Sequence, residues 1–178
     1  HPAGAGLLEQ PPSLRDALVA ALCIHRMMEH CERVQLANLA QAVNVLHAPL
    51  QTVKRPSAAH EGATSVTIVR TPTFHVLSML MGHREASRLH VCATRTAPYT
   101  YGAGGVPRLS LVGTRCGRTG ACHLSIVHTH PHAETTLSIE LRGFGVSALR
   151  VRRATVLTGA MGAVAAERAP LRPEAAKL

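Results

Sequence analysis

The longest amphipathic pattern in the chain predicts a helix from Ser13 to about Glu32. Ser13 is a favoured N-cap, and Asp16 three positions later can complete a capping box and face the positive end of the helix dipole. Two histidines near the end of the helix, His25 and His30, are expected on its solvent side. Apolar residues recur at steps of three and four, which gives one buried stripe, formed by Leu14, Ala17, Leu18, Ala21, Leu22, Met28 and Cys31.

The stretch after this helix, residues 33–46, reads Arg-Val-Gln-Leu-Ala-Asn-Leu-Ala-Gln-Ala-Val-Asn-Val-Leu. Its apolar residues around Val34 predict the start of a buried strand. The amides of Asn38, Gln41 and Asn44 interrupt this run, and burying an amide without a hydrogen bond costs roughly 1 to 3 kcal/mol. They therefore need backbone partners or a polar ligand. Amides at the C-terminal end of a strand are typical of the place where an α/β barrel contacts its substrate.

A loop, a short strand and a second helix are predicted next. Residues 51–64 contain proline, serine and glycine and indicate a loop, and Val-Thr-Ile-Val at residues 66–69 indicates a strand. Thr71 as N-cap, with Pro72 at the first helical position, favours a helix that ends near Gly82. A helix, a hydrophobic strand and another helix in succession indicate a layered α/β arrangement.

Beyond residue 87 the helical period disappears, and short alternating or apolar runs replace it. Turns rich in glycine, proline and arginine separate these runs, which lie at residues 89–93, 109–112, 122–127, 136–141 and 149–157. Several short strands at regular spacing predict an antiparallel β-sandwich. We therefore expect one domain over residues 1–86 and the sandwich over residues 87–158. The remainder, residues 159–178, carries no convincing element and is expected to be a poorly ordered tail.

Charge and composition narrow the possible partners. The 178 residues carry 19 Lys and Arg against 10 Asp and Glu, a formal charge of +9 that would favour acidic partners. The arginines are scattered, however, and the stacking aromatic residues of nucleic-acid sites are nearly absent, at 2% of the chain. No apolar run approaches the roughly 18 residues of a membrane span. We expect neither a nucleic acid nor a membrane as partner.

The five cysteines are an odd number, and no secretory hydrophobic region precedes them. Reduced thiols in a cytoplasmic setting are the simpler interpretation. The chain begins with His1 and not with methionine, so we expect it to be a piece of a longer polypeptide.

A metal-binding module is the alternative function. Zinc prefers four Cys and His ligands in a tetrahedron, and six candidates lie close together in sequence: Cys116, Cys122, His123, His128, His130 and His132. The spacing of the two cysteines is unusual for structural zinc, and side chains that alternate along a strand would make His123 and His128 point apart. A third possibility is a carbohydrate-binding module. Against it, the chain has no Trp, and Tyr99 and Tyr101 are the only tyrosines that could stack on sugars.

Several segments between residues 7 and 158 carry a resemblance to a known family. They are Leu7-Leu-Glu-Gln, Leu14-Arg-Asp-Ala-Leu-Val-Ala-Ala, the stretch 33–46, Thr71-Pro-Thr-Phe-His-Val-Leu, Leu124-Ser-Ile-Val-His-Thr-His-Pro and Leu137-Ser-Ile-Glu-Leu-Arg-Gly. In this order they resemble the C-terminal part of α-L-arabinofuranosidases of glycoside hydrolase family 51. The Ala-Gln-x-Val-Asn-Val motif that contains Gln41 is the most specific of them. Residues 113–122 and the chain after residue 158 depart from the family pattern.

The resemblance implies the last helix-strand-helix units of a (β/α)8 barrel followed by a jelly-roll-like antiparallel β-sandwich. It implies a retaining hydrolase that removes terminal arabinofuranosyl groups from arabinan and arabinoxylan, without a cofactor and as a homo-oligomer when full length. Retention needs two carboxylates about 5 Å apart, and the family's glutamates lie upstream of this region. The chain alone is therefore expected to be inactive. Only Gln41 matches an active-site position, an amide that hydrogen-bonds the arabinose hydroxyls.

Structural interpretations of these residues remain open. Gln41 could simply satisfy backbone at a strand end, and Asn38 and Asn44 are expected to be structural. A slice of a barrel would expose the apolar stripe between Leu14 and Cys31, together with open strand edges, so the isolated chain is expected to aggregate or stay partly molten.

Overall fold

The structure, a computed structural model, describes residues 10–39, 41–56, 64–92, 97–145, 150–164 and 173–175. The helices in these ranges are α1 (Leu14–Glu29), α2 (Pro72–Leu80) and a 3-10 turn (Met81–His83) that continues α2. The strands are β1 (Leu50–Pro56), β2 (Thr64–Arg70), β3 (Ser87–Arg88), β4 (Tyr99–Tyr101), β5 (Gly104–Val106), β6 (Leu109–Arg115), β7 (Cys122–His128), β8 (Thr155–Val156) and β9 (Glu174–Ala175). Neither α-helix has the length and apolarity that crossing a bilayer requires.

Helix α1 begins as predicted. The Ser13 N–H donates to Asp16 Oδ2 at 2.7 Å, and the Asp16 N–H donates to Ser13 Oγ at 3.5 Å, which completes the capping box. The helix ends at Glu29, slightly before the predicted end. Much of its apolar stripe is covered, since Leu14 and Ala17 are buried. The expectation of an exposed stripe is therefore wrong for this part of the helix.

Helix α2 also begins as predicted. The Phe74 N–H donates to Thr71 Oγ1 at 3.3 Å, and Pro72 occupies the first helical position, where its missing N–H is not needed. The end of the helix differs from the prediction: the cap residue is Met81, and Gly82 lies inside the 3-10 turn that follows. The strand expected just before α2 is confirmed as β2.

An antiparallel hairpin joins β1 and β2, with Thr52 opposite Ile68. The prediction of a loop over residues 51–64 is wrong for residues 51–56 and for Thr64, which belong to β1 and β2. Pairing between the two strands makes a strand of residues whose polar character and proline suggested a loop. Residues 57–63 lie outside the described ranges. Val69 faces inward and is 7% exposed, whereas Val66 and Ile68 on the other face are 59% and 64% exposed. The hairpin therefore leaves one apolar face open.

The strand predicted within residues 34–46 is wrong. This stretch is irregular in its described residues, and Leu36 is 81% exposed. Its single β contact is a parallel bridge between Val43 and Leu50. A strand needs a neighbour along its whole length to satisfy its backbone N–H and C=O groups. The described ranges supply such a neighbour only at this bridge, and they contain no closed barrel.

The β-rich part of the chain is centred on a three-stranded antiparallel sheet in the order β3-β6-β7. Strands β6 and β7 pair from Leu109 opposite His128 to Arg115 opposite Cys122, which confirms the predicted strands at 109–112 and 122–127. The strand predicted at residues 89–93 does not form in residues 89–92, which follow the short β3, and residue 93 lies outside the described ranges. Residues 136–141 form no strand. Of the run 149–157, only β8 is a strand among the described residues.

Part of the C-terminal tail is ordered against the rest of the molecule, so the expected lack of structure is wrong for residues 161–164. The N–H groups of Leu14 and Arg15 donate to the carbonyls of Ala163 and Met161 at 2.8 and 3.0 Å. The first N–H groups of a helix lack partners within the helix, and these carbonyls supply them. Strand β9 pairs with β8. Residues 165–172 and 176–178 lie outside the described ranges.

A small hydrophobic core connects the helices with the sheet. Its buried members are Ala17 and Ala21 from α1, Val76 from α2 and Val127 from β7. Partly buried leucines pack around them, namely Leu18, Leu22, Leu80 and Leu157. This core brings together residues from both sides of the predicted boundary between residues 86 and 87, which stays a prediction.

Candidate functional site

The candidate site lies on the loop from Gln41 to Pro49, which joins the irregular stretch to β1. Two backbone hydrogen bonds fold this loop back on β1: the Leu50 N–H donates to the Ala42 carbonyl, and the Asn44 N–H donates to the Leu50 carbonyl, each at 3.1 Å. The bridge between Val43 and Leu50 reinforces the same turn. The backbone beside Gln41 is therefore held in one conformation by its neighbours.

Asn44 has the structural role that its residue type indicates. Its backbone is left-handed, with φ of 59°, a conformation that Asn tolerates better than most residues. Its Nδ2 donates to Thr52 Oγ1 and its Oδ1 accepts from the Thr52 N–H, both at 2.8 Å. Because both ends of the amide are used, Asn44 fastens the loop to β1 and is not free to bind a ligand.

Thr71 holds the other end of the loop. Its hydroxyl is 2.8 Å from the Ala48 carbonyl oxygen and 3.1 Å from that of Pro49, and its N–H donates to the Pro49 carbonyl at 3.0 Å. The side chain is 1% exposed. A buried carbonyl without a donor would be costly, so this one residue both caps α2 and anchors the loop that carries Gln41.

Gln41 lies on the surface of this anchored loop. Its side chain is exposed, and within the described ranges its amide forms no hydrogen bond. It does not lie at the mouth of a regular strand, because no strand forms there. The amide is nevertheless accessible and carries two N–H donors and a carbonyl acceptor. Asn38 is exposed as well, in the irregular stretch before the loop.

A shallow cavity of about 190 Å³ adjoins the loop, lined by Gln10, Pro12, Asp16, Leu46 and His47. It is smaller than the roughly 300 to 1,000 Å³ of typical small-molecule sites. Its carboxylate, Asp16, already accepts the hydrogen bonds of the α1 cap. The cavity by itself is therefore a poor binding site, and Gln41 is not among the residues that line it.

The described carboxylates that have partners are occupied by caps and surface ion pairs. Asp16 caps α1, and Glu29 lies 2.7 Å from the guanidinium of Arg26. Hydrogen bonding from Arg142 lowers the pKa of the exposed Glu140 carboxyl. A general acid needs the opposite shift, a raised pKa that keeps its proton near neutral pH. None of these three carboxylates has the environment of a catalytic acid.

Two buried histidines between the helices and the sheet were missed by sequence reasoning. His25 was expected to face solvent but is 1% exposed, with Nδ1 3.0 Å from Ser110 Oγ and Nε2 2.8 Å from Ser125 Oγ. The prediction was wrong because β6 and β7 cover the last turns of α1. His83 in the 3-10 turn is 9% exposed, and its Nδ1 is 2.8 Å from Thr114 Oγ1.

The proposed metal cluster does not assemble in the part of the chain that the structure describes, where no three His, Cys, Asp or Glu side chains converge. His128 instead pairs with Thr135 Oγ1 at 3.0 Å, and His130 Nδ1 accepts the N–H groups of His132 and Ala133. The metal-binding alternative is not supported. The half-buried ring of Tyr99 packs edge-on against His130, with ring centroids 5.2 Å apart.

Comparisons with known proteins agree on one family. A family model described as the α-L-arabinofuranosidase C-terminal domain matches residues 1–177. The chain is 28% identical over 136 residues to an intracellular exo-α-L-arabinofuranosidase of Bacteroides ovatus, a match that covers 76% of this chain and 24% of that protein. The chain thus spans about a quarter of the length of the curated relative it matches.

Solved structures give the same result. The family 51 arabinofuranosidase from Xanthomonas axonopodis pv. citri has a TM-score of 0.78 and 29% identity, over 98% of this chain and 33% of that one. A family 51 α-L-arabinofuranosidase from Bifidobacterium longum has a TM-score of 0.75 and 26% identity, over 95% of this chain and 31% of that one.

Proposed function

Because the chain belongs to the family of α-L-arabinofuranosidase C-terminal domains, we propose that it forms the C-terminal portion of a retaining α-L-arabinofuranosidase. The substrate would be the terminal arabinofuranosyl groups of arabinan or arabinoxylan. The family match over residues 1–177 carries this proposal, and the names of the relatives support it. The intracellular relative from Bacteroides ovatus favours a cytoplasmic location for this enzyme as well.

In this proposal the acids that cleave the bond belong to another part of the enzyme. The chain covers between a quarter and a third of the length of its relatives, so most of such an enzyme lies outside it. Retaining hydrolysis needs a nucleophile and an acid/base separated by about 5 Å. The partners of Asp16, Glu29 and Glu140 leave these carboxylates occupied, which favours assigning both catalytic roles elsewhere.

Gln41 is the residue that we propose contacts the sugar. Its accessible amide can donate to one arabinose hydroxyl and accept from another, and the bonds of Asn44 and Thr71 hold its loop in place. Holding a substrate in a reactive orientation lowers the barrier without any bond being cleaved by the positioning residue itself. Gln41 would therefore orient the arabinofuranosyl ring toward carboxylates contributed by the rest of the enzyme.

The open apolar face fits the same proposal. Side chains exposed on the irregular stretch, the loop and the hairpin include Leu36, Val43, Leu46, Val66 and Ile68. Of these residues, Val66 and Ile68 share the open face of the hairpin, and an exposed apolar face of this kind marks an interaction surface. We assign residues 1–86 to the last units of a (β/α)8 barrel and this face to contact with the preceding units. Residues 87–158 would form the β-sandwich, and the complete enzyme would be a homo-oligomer.

The test is activity of a chimera. This chain replaces the corresponding C-terminal region of the Xanthomonas enzyme, and hydrolysis of 4-nitrophenyl α-L-arabinofuranoside is measured for the chimera, the parent enzyme and the isolated 178-residue chain. We expect the chimera to retain activity and the isolated chain to release no arabinose. Release of arabinose by the isolated chain would contradict the assignment of the acids, and a folded but inactive chimera would contradict the assignment to this enzyme.

A further inference from the structure

Two of the buried histidines, His25 and His83, belong to one continuous contact between the helices and the sheet, which we call the histidine seam. Its helical side consists of His25 on α1 and His83 on the 3-10 turn. The sheet contributes two serines, a threonine and a third histidine, namely Ser110, Thr114, Ser125 and His123. The rings of His83 and His123 are 6.1 Å apart. The seam is thus built from imidazoles facing hydroxyls, with no carboxylate bonded to either imidazole.

The bonding at His25 fits a neutral ring. A neutral imidazole has one N–H donor and one acceptor nitrogen, and a serine hydroxyl can take either role. Ser110 and Ser125 therefore satisfy both nitrogens of His25 at once. Protonation would keep two donors facing two oxygens but would place a positive charge in a buried site. Such a charge is costly unless it is paired.

The surrounding charges do little to offset that cost. Facing His25 are Glu29 from its own helix, which is ion-paired with Arg26, and His83 from the 3-10 turn; β6 and β7 contribute only hydroxyls. Facing His83 are His25 from α1, His123 from β7 and the hydroxyl of Thr114 from β6. The Arg88 guanidinium from β3 donates to the Glu29 carbonyl at 2.7 Å. Three imidazoles and two arginines therefore share a single nearby carboxylate, that of Glu29.

We propose that the histidine seam is a pH-sensitive latch that holds α1 and the 3-10 turn on the β3-β6-β7 sheet while its imidazoles are neutral and releases them in mildly acidic solution. The other contact between α1 and this sheet is apolar and has no titratable group: Ala17 and Ala21 share a core with Val127, and Leu18 and Leu22 pack against that core. The β1-β2 hairpin is held separately, through Asn44 and Thr71, and should stay in place when the latch opens.

The direction of the pH effect follows from the histidines. Burial lowers the pKa of His25 despite the opposing effect of Glu29. Burial first, and then the neighbouring His123 and His25, lower the pKa of His83 to about 4 from its ordinary value of 6.5. The open state therefore binds more protons than the closed state below pH 6.5. The closed state is fully favoured above pH 6.5 and loses stability as pH falls toward about 4.

Hydrogen exchange of the full 178-residue chain, corrected for the intrinsic pH dependence, tests the latch between about pH 4.5 and about pH 7.5. Each buried histidine that takes up a proton on opening raises the opening constant by up to about tenfold per pH unit. The readout is α1, residues 18–29, because a helix released from its sheet is only marginally stable and exchanges quickly. Per pH unit of acidification, we expect its opening constant to rise by up to about 100-fold in the natural chain, by up to about tenfold in H25Q or H83Q, and not at all in the double variant. H30Q, at an exposed histidine on the same helix, should match the natural chain.

The hairpin serves as an internal control, since residues 50–56 should keep their protection across this range. Four results would overturn the proposal. One is an opening constant of the natural chain that does not change with pH. The second is an equal pH dependence of the opening constant in the natural chain and the double variant. The third is simultaneous loss of protection in the hairpin, which would mean global unfolding. A seam already unprotected at about pH 7.5 would overturn it as well, because the latch is closed there. Single variants keep the test decisive if the double variant does not fold.

Discussion

Replacing Thr71 by valine should loosen the loop that carries the candidate site. The substitution keeps the shape of the side chain but removes the hydroxyl of a residue that is 1% exposed. The Phe74 N–H loses its cap, which costs about 1 kcal/mol. The Ala48 carbonyl loses a buried donor at 2.8 Å, which costs about 1 to 3 kcal/mol. Together we expect the free energy of unfolding to fall by roughly 2 to 4 kcal/mol, a large part of the stability of a domain.

Urea unfolding followed by circular dichroism measures this loss, and Thr71→Ser is the matched control because it keeps the hydroxyl and removes only a methyl group. We expect the serine variant to lose about 1 kcal/mol or less. Hydrogen exchange of residues 42–50 should increase in the valine variant, since Thr71 anchors this loop through Ala48 and Pro49. Equal unfolding free energies for the two variants would refute the assigned role of the hydroxyl.

Two further substitutions test the packing at the histidine seam and the open face of the hairpin. Gly82→Ala should lower the free energy of unfolding by about 1 kcal/mol, because its Cβ would lie 2.5 Å from His123 Nδ1. Gly117→Ala, where a Cβ meets nothing within 4 Å, is its control in the same urea titration, and an equal effect of both would argue against a tight contact. Ile68→Lys should reduce self-association of the isolated chain, because the side chain is 64% exposed on the open face. Sedimentation velocity measures the self-association, and an unchanged degree of association would show that another surface of the chain causes it.

The features that the sequence predicted well are those that depend on nearby residues. The capping box of Ser13 and Asp16 closes over three positions, and Thr71 with Pro72 starts α2 through contacts within one turn. The alternation of apolar residues in β6 and β7 likewise belongs to each strand itself. Local chemistry of this kind is present in the sequence before any tertiary contact is known.

The features that were missed depend on distant residues. His25 is buried because its hydroxyl partners lie 85 and 100 positions further along the chain. Strand β1 forms because β2 pairs with it, although its own residues suggest a loop. The stretch 34–46 is apolar enough for a strand but pairs with a neighbour only at Val43. In each case a non-local partner decides the outcome, and a single sequence does not identify that partner.

The residues of the candidate site also differ in how far the sequence alone could predict their roles. The residue type of Asn44 was enough to predict a structural role, since its amide bonds locally to Thr52. Gln41 is distinguished from Asn38 only by the family resemblance, because both are exposed amides on irregular backbone. Physical reasoning adds that the loop of Gln41 is anchored at both ends, so its amide can be presented in a fixed position.

The most direct test of this account is the specificity constant, kcat/KM, of the chimeric arabinofuranosidase with Gln41→Ala, compared with Gln35→Ala at an exposed amide in the preceding irregular stretch. Loss of two hydrogen bonds to the sugar, at about 1 kcal/mol each, predicts a fall of roughly 30-fold in kcat/KM for the Gln41 variant. The Gln35 variant should remain within about twofold of the parent. Equal specificity constants for both variants, with unchanged unfolding midpoints, would contradict the proposal that Gln41 orients the sugar.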